Sequence, residues 1–561
     1  MKKSTILLLM TFISINLKAQ FTPYWDIFYQ HTVSSGYSNE ARKIATDANG
    51  NVFVLSDVTS DLDATNHPVP NTQYYVILSK YSPSGNLIIQ KIIDVKNMPL
   101  SGTHDYKSAF ALELDGSGNV FIGFNQYNVA GANYDVAVSK YNNALTTNWT
   151  SVFSTSANET GVDLTLRAGI PFLLFKSVSG ANTTYKMSKP TSSASAPVAL
   201  FSFDTNLEVV NSISTSATRN LFFTGYRTVS GAKVVMTASV STAGLLKWKT
   251  LFNNNSVTGD DYGTEVLVGL DGFLYVAGTG YSNAVTNNNA LLLRYNSANG
   301  TLNAQAVLSQ ALGASNDAGL TVAEGPTGYM FFGTTSGASD VFVYKMRTTN
   351  GLTVNTSASY KPTPTSFTSL SSLTIGDMKV APSNNVYVCG TISGASSTGN
   401  FSASYLVKFG VVGTALSVIA NTPVEGSNTN CRSGVGIAID AARNNLISTR
   451  SNWRTNATHA IEGVLINDYS MGSLRNGNGL SEATNGLKSE KIIYPNPVSE
   501  TVYFSDVHLI HPVMVYDITG KLITTYTENE KSADISNLNP GIYIFKMTTD
   551  SGLITERVVV Q

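Results

Sequence analysis

The chain has 561 residues, 36 Lys+Arg against 37 Asp+Glu and a formal net charge of -1 at pH 7. That length asks for several domains or one repeat array, and the charge balance carries no polyelectrolyte signature for nucleic acid. Charged residues make up 13%, about half the ~25% of an ordinary globular chain, while hydrophobic residues reach 42%, too many for wholesale disorder. Two cysteines exclude a disulfide-stapled scaffold and a multi-cysteine zinc site.

Residues 1–19 read as a signal peptide. Lys2 and Lys3 form a positive n-region, residues 6–17 are apolar apart from Thr11, Ser14 and Asn16, and small Ala19 precedes a cut before Gln20. The apolar run is too short for a permanent anchor, and no cysteine near the cut offers a lipid attachment point. No later segment holds the ~18 uninterrupted apolar residues of a transmembrane helix. The expectation is Sec export to the periplasm with no transmembrane segment.

From there one pattern recurs: a turn, then Asn or Gly, then an apolar-aromatic-apolar strand. It stands as Asn51-Val52-Phe53-Val54, Asn119-Val120-Phe121-Ile122, Asn220-Leu221-Phe222-Phe223, Phe273-Leu274-Tyr275-Val276 and Asn385-Val386-Tyr387-Val388. Weaker copies sit at Pro171-Phe172-Leu173, Tyr329-Met330-Phe331 and Asn445-Leu446-Ile447. The eight copies are spaced by about 56 residues on average. Each is preceded by a strand ending in an Asn/Gly turn, the hairpin signal, as in Asp47-Ala48-Asn49-Gly50. A third strand follows and ends in a basic-aromatic or basic-apolar pair: Lys80-Tyr81, Lys140-Tyr141, Arg294-Tyr295, Lys345-Met346, Lys408-Phe409. A fourth carries tryptophan, Trp149 and Trp248. Four strands per unit of about 50 residues is the grammar of a propeller blade. The eighth copy lacks its Trp strand, and Trp25-Asp26-Ile27-Phe28-Tyr29 at the start of the body supplies one, which would close the ring and remove the open sheet edges.

These units resemble bacterial β-propeller repeats that read Asp-x-x-Gly-Asn-x-Tyr-Val-x-Gly, then Lys-Tyr, then Gly-x-x-x-Trp. The resemblance implies an all-β, eight-bladed propeller over residues 20–470. Seven blades is the alternative, with copy three absorbed as an insertion, since copy three lacks the Asp-Gly-Asn turn and copy four the basic-aromatic pair.

Residues 471–490 are rich in Gly, Ser and Asn and read as a linker. Residues 491–561 then show short strands separated by turns, the pattern of a small Ig-like β-sandwich. This segment resembles the type A C-terminal sorting domain of the type IX secretion system of the Bacteroidota. The motifs are Tyr494-Pro495-Asn496-Pro497, Asp517-Ile518-Thr519-Gly520-Lys521, Leu538-Asn539-Pro540-Gly541-Ile542-Tyr543 and a valine-rich last strand. The resemblance implies engagement of the type IX machinery through Tyr494, Pro495, Asn496, Pro497, Asp517, Gly520, Lys521, Pro540, Gly541 and Tyr543, and then secretion or attachment to the outer cell surface.

Sites for chemistry are few. The six histidines form no His-x-x-x-His pair, and no metal site is expected from them. Calcium is the one cation left open, at Asp61, Asp63 and Asn66 or at Asp260, Asp261 and Glu265, although the Asp47-x-Asn49-Gly50 turn lacks the distal Glu of a calcium loop. Nucleophile elbows and P-loops are absent. Cys389 reads as a buried thiol, with a disulfide to Cys431 as the other reading. Acidic residues recur just before the first strand of the copies, at Glu40, Asp105, Glu159, Asp261 and Asp317. Asp105 and Asp261 are the candidates for acid/base work on a sugar, against a turn-capping role for the whole series. Tyr37, Tyr106 and Tyr262 in the same loops are the candidates for stacking on a glycan. The composite expectation is exported propeller cargo, a non-catalytic module that binds a glycan or a surface protein. The alternatives are a glycosidase or lyase on the same scaffold and a structural or adhesive surface component.

Overall fold

A computed structural model describes residues 19–20, 23–29, 38–59, 73–97, 108–192, 198–216, 220–254, 259–282, 287–308, 316–325, 328–337, 339–349, 351–362, 368–396, 399–412, 415–421, 431–440, 445–454, 461–470, 493–494, 498–504, 513–517, 521–526, 532–549 and 552–561. Among these residues the regular structure is all strand. The chain divides into two compact units, Met1–Arg475 and Asn476–Gln561. The linker expected at 471–490, residues 1–18 of the expected signal peptide 1–19, and Asp61, Asp63 and Asn66 lie outside the described residues.

In the first unit, each sequence copy becomes an antiparallel meander. Seven of the sheets take their four strands in chain order, spanning 38–97, 109–153, 158–202, 208–252, 262–308, 317–360 and 369–421. Copy three therefore forms a sheet of its own. The eighth sheet has Cys431–Asp440, Asn445–Arg454 and Ile461–Ser470, and its fourth strand is Pro23–Tyr29, with Trp25 opposite Asp468. Ala19–Gln20, on either side of the expected cut, adds in parallel to the outer edge of the seventh sheet.

Second strands are largely buried and open on an apolar run, Val120-Phe121-Ile122 in Val120–Asn128 and Met330-Phe331-Phe332 in Met330–Ser336. A separate hydrophobic core fills each successive sheet pair. Phe53, Leu78 and Val120 lie between the first two sheets, and Phe222, Val235 and Leu291 between the fourth and fifth. Ala41, Val52, Val54 and Tyr81 of the first sheet also pack with Ile447 of the eighth. The first strands of the sheets touch one another in chain order, and Cys431–Asp440 touches Ser38–Thr46, so the succession returns on itself. This arrangement is a β-propeller.

The innermost strands share one irregularity. In every one of the eight sheets the pairing of first and second strands slips by one residue, leaving Arg42, Phe110, Val162, Asn211, Thr264, Leu320, Gly376 and Val435 unmatched. Such a bulge bends the strand and frees backbone groups from the ladder. The neighbouring sheet takes them up. Ile213 N–H donates to Asp163 Oδ2 at 3.1 Å, Val322 N–H to Glu265 Oε2 at 2.9 Å, and Ile437 N–H to Asp377 Oδ2 at 3.0 Å. Ser212 Oγ accepts from Val266 N–H in the same way at 3.4 Å.

The basic residue near the end of several third strands has a related task. Lys80 Nζ lies 5.4 Å from the Phe53 ring centroid and donates to the backbone oxygen of Asn143 in the next sheet at 2.9 Å. Arg294 lies 3.7 Å over the Phe273 ring and donates to the Thr348 carbonyl of the next sheet at 2.5 Å. The cation is thus held between an aromatic face and a neighbouring turn. In the first Asp-x-x-Gly-Asn turn Asp47 accepts from Asn49 N–H, Asn51 N–H and the Asn51 amide, Gly50 takes φ 75°, and Asn143 of the next sheet donates to Asp47 at 3.2 Å.

Close approach between neighbouring sheets also dictates glycine. A Cβ at Gly319 would lie 2.2 Å from the Gly278 carbonyl oxygen, a backbone atom that cannot swing away. Gly319→Ala is therefore expected to destabilise by about 2–4 kcal/mol and to lower the urea midpoint clearly. Gly116→Ala, with nothing within 4 Å of the added carbon, should stay within about 0.5 kcal/mol of wild type.

Candidate functional site

The sheet-starting acids are tied into the loops that connect one sheet to the next. Asp261 is fully buried, and both its oxygens accept backbone amides: Asn254 N–H to Oδ2 and Tyr281 N–H to Oδ1, each at 2.7 Å. Burial pushes its carboxyl above the usual range and these two amides pull against that. Glu159, also buried, accepts from Thr155 Oγ1 at 2.5 Å and Ser177 Oγ at 3.1 Å. Glu40 is paired with Arg42 at 2.6 Å, and Arg42 bridges to Asp57, which accepts the amides of Ser108 and Ala109 at the start of the second sheet. Asp260 is held by Lys233 at 2.7 Å, so the possible calcium ligands Asp260, Asp261 and Glu265 each bond to protein groups. Asp105, Tyr37 and Tyr106 lie outside the described residues.

Sequence reading missed Glu208, which occupies this slot in the fourth sheet. It accepts from Asp204 N–H at 2.9 Å and is bonded by Arg227 at 2.8 Å and Lys249 at 2.7 Å. The repeat itself was the signal, since Glu208 falls between Glu159 and Asp261 at the common spacing.

A second group lines the inner face. The residue after each bulge and the one two positions on share a face of the strand, and several are charged: Lys43, Asp163, Glu265 and Asp377 in the first row, Glu113 and Lys379 in the second. They come from five sheets, yet Glu113 feels Asp163, Lys379 and Lys43, and Lys379 feels Asp377, Glu265 and Glu113. The first strands that carry them touch in succession around the unit. Asp377 and Lys379 approach to 3.3 Å, with half of the Lys379 side chain accessible to solvent. Three of the carboxylates bind backbone amides of the following sheet, as above. Glu113 differs: burial, then the charge of Asp163, raises its carboxyl to about 7 against the pull of the two lysines.

Tyr262, the remaining tyrosine of the sequence reading, opens the first strand of the fifth sheet and is half-buried. It lies within electrostatic reach of Lys233, as does Tyr226. Lys233 Nζ sits 5.2 Å from the Tyr226 ring centroid, Tyr226 adjoins Tyr185, and Asp261 N–H donates to the Lys233 carbonyl at 2.9 Å. The Asp260 carboxylate raises Lys233 and keeps it charged.

In the second unit two sheets, one of three strands and one of four, share a core of Val502, Phe504, Val513, Val515, Phe545 and Val558. The sorting motifs are turn and pairing residues. Lys521 N–H donates to Asp517 Oδ1 at 3.0 Å, closing that hairpin. Asp517 faces Tyr543 across the strands, and the Tyr543 hydroxyl donates to the Asn539 carbonyl at 2.9 Å, bracing the turn that contains Pro540 and Gly541. Tyr494 pairs with Tyr503. Pro495, Asn496, Pro497 and Gly520 lie outside the described residues.

Glu113 generates a pH prediction. Folded, it holds its proton up to about 7, while the unfolded chain releases it near 4.5. Ionisation therefore works against the folded state, and stability falls as pH rises from about 4.5 through 7, by at most ~3 kcal/mol. In urea titrations Glu113→Gln should match wild type at pH 5 and exceed it at pH 8.5.

Residues 492–561 match the family described as secretion system C-terminal sorting domain. No curated protein matches the chain. Solved structures similar to it include the periplasmic gluconolactonase of Pseudomonas aeruginosa, at 13% identity and TM-score 0.37, covering 60% of this chain and 93% of that one. An ulvan lyase, a polysaccharide lyase bound to a glucuronate–rhamnose sulfate ligand, is 11% identical at TM-score 0.38 and covers 70% and 97%. The β-propeller domain of the trilobed protease from Pyrococcus furiosus is 8% identical at TM-score 0.33 and covers 79% and 98%. At these values the likenesses assign no activity to this chain. What the chain carries at 492–561 is the sorting domain of type IX secretion cargo, on a β-propeller scaffold.

Proposed function

We propose that the chain is exported in two steps, by Sec to the periplasm and by the type IX system to the outer surface or the medium, and that its propeller is a binding module for a glycan. On this reading residues 1–19 are the signal peptide, 20–470 an eight-bladed propeller whose last blade is completed by Pro23–Tyr29, 471–490 a linker and 491–561 an Ig-like sorting sandwich. The matched sorting tail supports export. Binding rather than turnover is supported by one observation above the others: Asp261, the described member of the two candidate acids, has both oxygens bonded to backbone amides. A general acid or base needs an oxygen that reaches the substrate.

A second reading, a carbohydrate-active enzyme, draws on Glu113. Burial and the Asp163 charge raise its carboxyl to about 7, against the pull of Lys379 and Lys43, in the range a general acid or base uses.

Two experiments test the proposal. Cells making the chain without 491–561 should hold a folded propeller in the periplasm; its normal appearance on the surface or in the medium would contradict the sorting role. The purified full chain should retain soluble polysaccharides in affinity electrophoresis without shortening them. Product release abolished by Glu113→Gln, with folding intact, would establish the enzymatic reading instead.

A further inference from the structure

Three successive sheets deliver polar tips to one place. Tyr185 lies on Asn182–Ser188 of the third sheet, Tyr226 and Lys233 on the second and third strands of the fourth, and Asp260 and Tyr262 at the start of the fifth. Lys233 is the hub: its ammonium bonds Asp260 at 2.7 Å, stands 5.2 Å from the centre of the Tyr226 ring and lies within reach of Tyr262. All five residues are half-buried. The Lys233 and Asp260 side chains keep 38% and 45% of their surface accessible, so the ammonium–carboxylate pair meets solvent beside partly buried aromatic rings.

The backbone under this group is braced. Lys233 N–H donates to Asp260 Oδ1 at 3.1 Å, Asp261 N–H donates back to the Lys233 carbonyl, and buried Asp261 fixes the loop through Asn254 and Tyr281. A site that is already ordered loses little conformational entropy on binding. Asp261 therefore acts as a positioning residue for Asp260 and Tyr262.

The charged side chains nearest solvent are paired, and the buried Asp261 beneath them is held by backbone amides. Lys233 is matched by Asp260, while Arg227 and Lys249 are matched by Asp204 and Glu208. A polyanion would find no net attraction, and a polycation none either. What remains is an ammonium–carboxylate pair, donor and acceptor 2.7 Å apart, beside the Tyr226 ring and within reach of Tyr262. Building on the glycan-binding reading above, we infer that Tyr185, Tyr226, Lys233, Asp260 and Tyr262 form a binding site for a neutral, hydroxyl-rich glycan. Lys233 and Asp260 bond the sugar hydroxyls, and Tyr226 and Tyr262 supply apolar contact and orient them.

The test is affinity electrophoresis and calorimetry of the full chain against dextran, laminarin, xylan and mannan as neutral probes and alginate and chondroitin sulfate as anionic ones. At least one neutral polymer should bind, with an affinity that changes less than about twofold between 50 and 300 mM salt. Tyr262→Ala should weaken that binding about tenfold and Asp260→Asn about fivefold. Tyr226→Phe and Tyr262→Phe keep the rings and guard against misfolding; each should cost about threefold, with an unchanged melting temperature. Binding confined to the anionic polymers, or neutral-polymer binding untouched by all four substitutions, overturns this site while the glycan-binding reading stands. Retention of no polymer in the panel overturns both.

Discussion

The innermost strands have to come within backbone contact of one another around the axis, and the bulge that recurs on every one of them makes this feasible. Slipping the pairing by one residue turns the strand and releases an amide that the sheet's own ladder no longer holds. A buried amide left without a partner is costly. The preceding sheet answers with Asp163, Ser212, Glu265 or Asp377. The polar side chains that hold the sheets together are thus the same ones that face the axis, and most of the axial carboxylates are already committed to the fold.

The loop face follows the same economy. Asp261, Glu159 and Glu208 sit where one sheet hands over to the next, and each accepts hydrogen bonds that order the connection. Their repetition reflects a repeated structural need rather than a repeated chemistry. The groups that reach solvent near them, Tyr262, Tyr226 and the Lys233–Asp260 pair, are not repeated from sheet to sheet. A ring of like positions builds the molecule, and these groups are where it departs from the repeat.

Much of the scaffold was legible in the sequence because it is written in local patterns. The apolar-aromatic second strands all fall where the repeat put them, from Val52–Thr59 to Asn445–Arg454. The Asp-Gly-Asn turns and the basic-aromatic pairs are short-range signals whose partners, Asn51 or Phe53, lie within the same repeat. The axial charges were not legible. The bulge shifts the two-residue alternation at the point where Lys43, Asp163 and Glu265 face inward, and the residue type changes from sheet to sheet, so no motif marks them. Nor could the tyrosine group be read, because Tyr185, Tyr226 and Tyr262 belong to three copies and meet only when the sheets pack. Tyr262 alone was singled out, from its place in a loop.

Axial carboxylates bound to the backbone of the next sheet are what tie the ring together. Hydrogen exchange at Val322 tests this most directly, by mass spectrometry of the wild type and of Glu265→Ala under native conditions. If Glu265 holds the freed amide, Val322 exchanges as slowly as core ladder amides in the wild type and at least tenfold faster in the variant, with the outer strand of the same sheet unchanged. Rapid exchange at Val322 in the wild type, or identical rates in the two proteins, would contradict it.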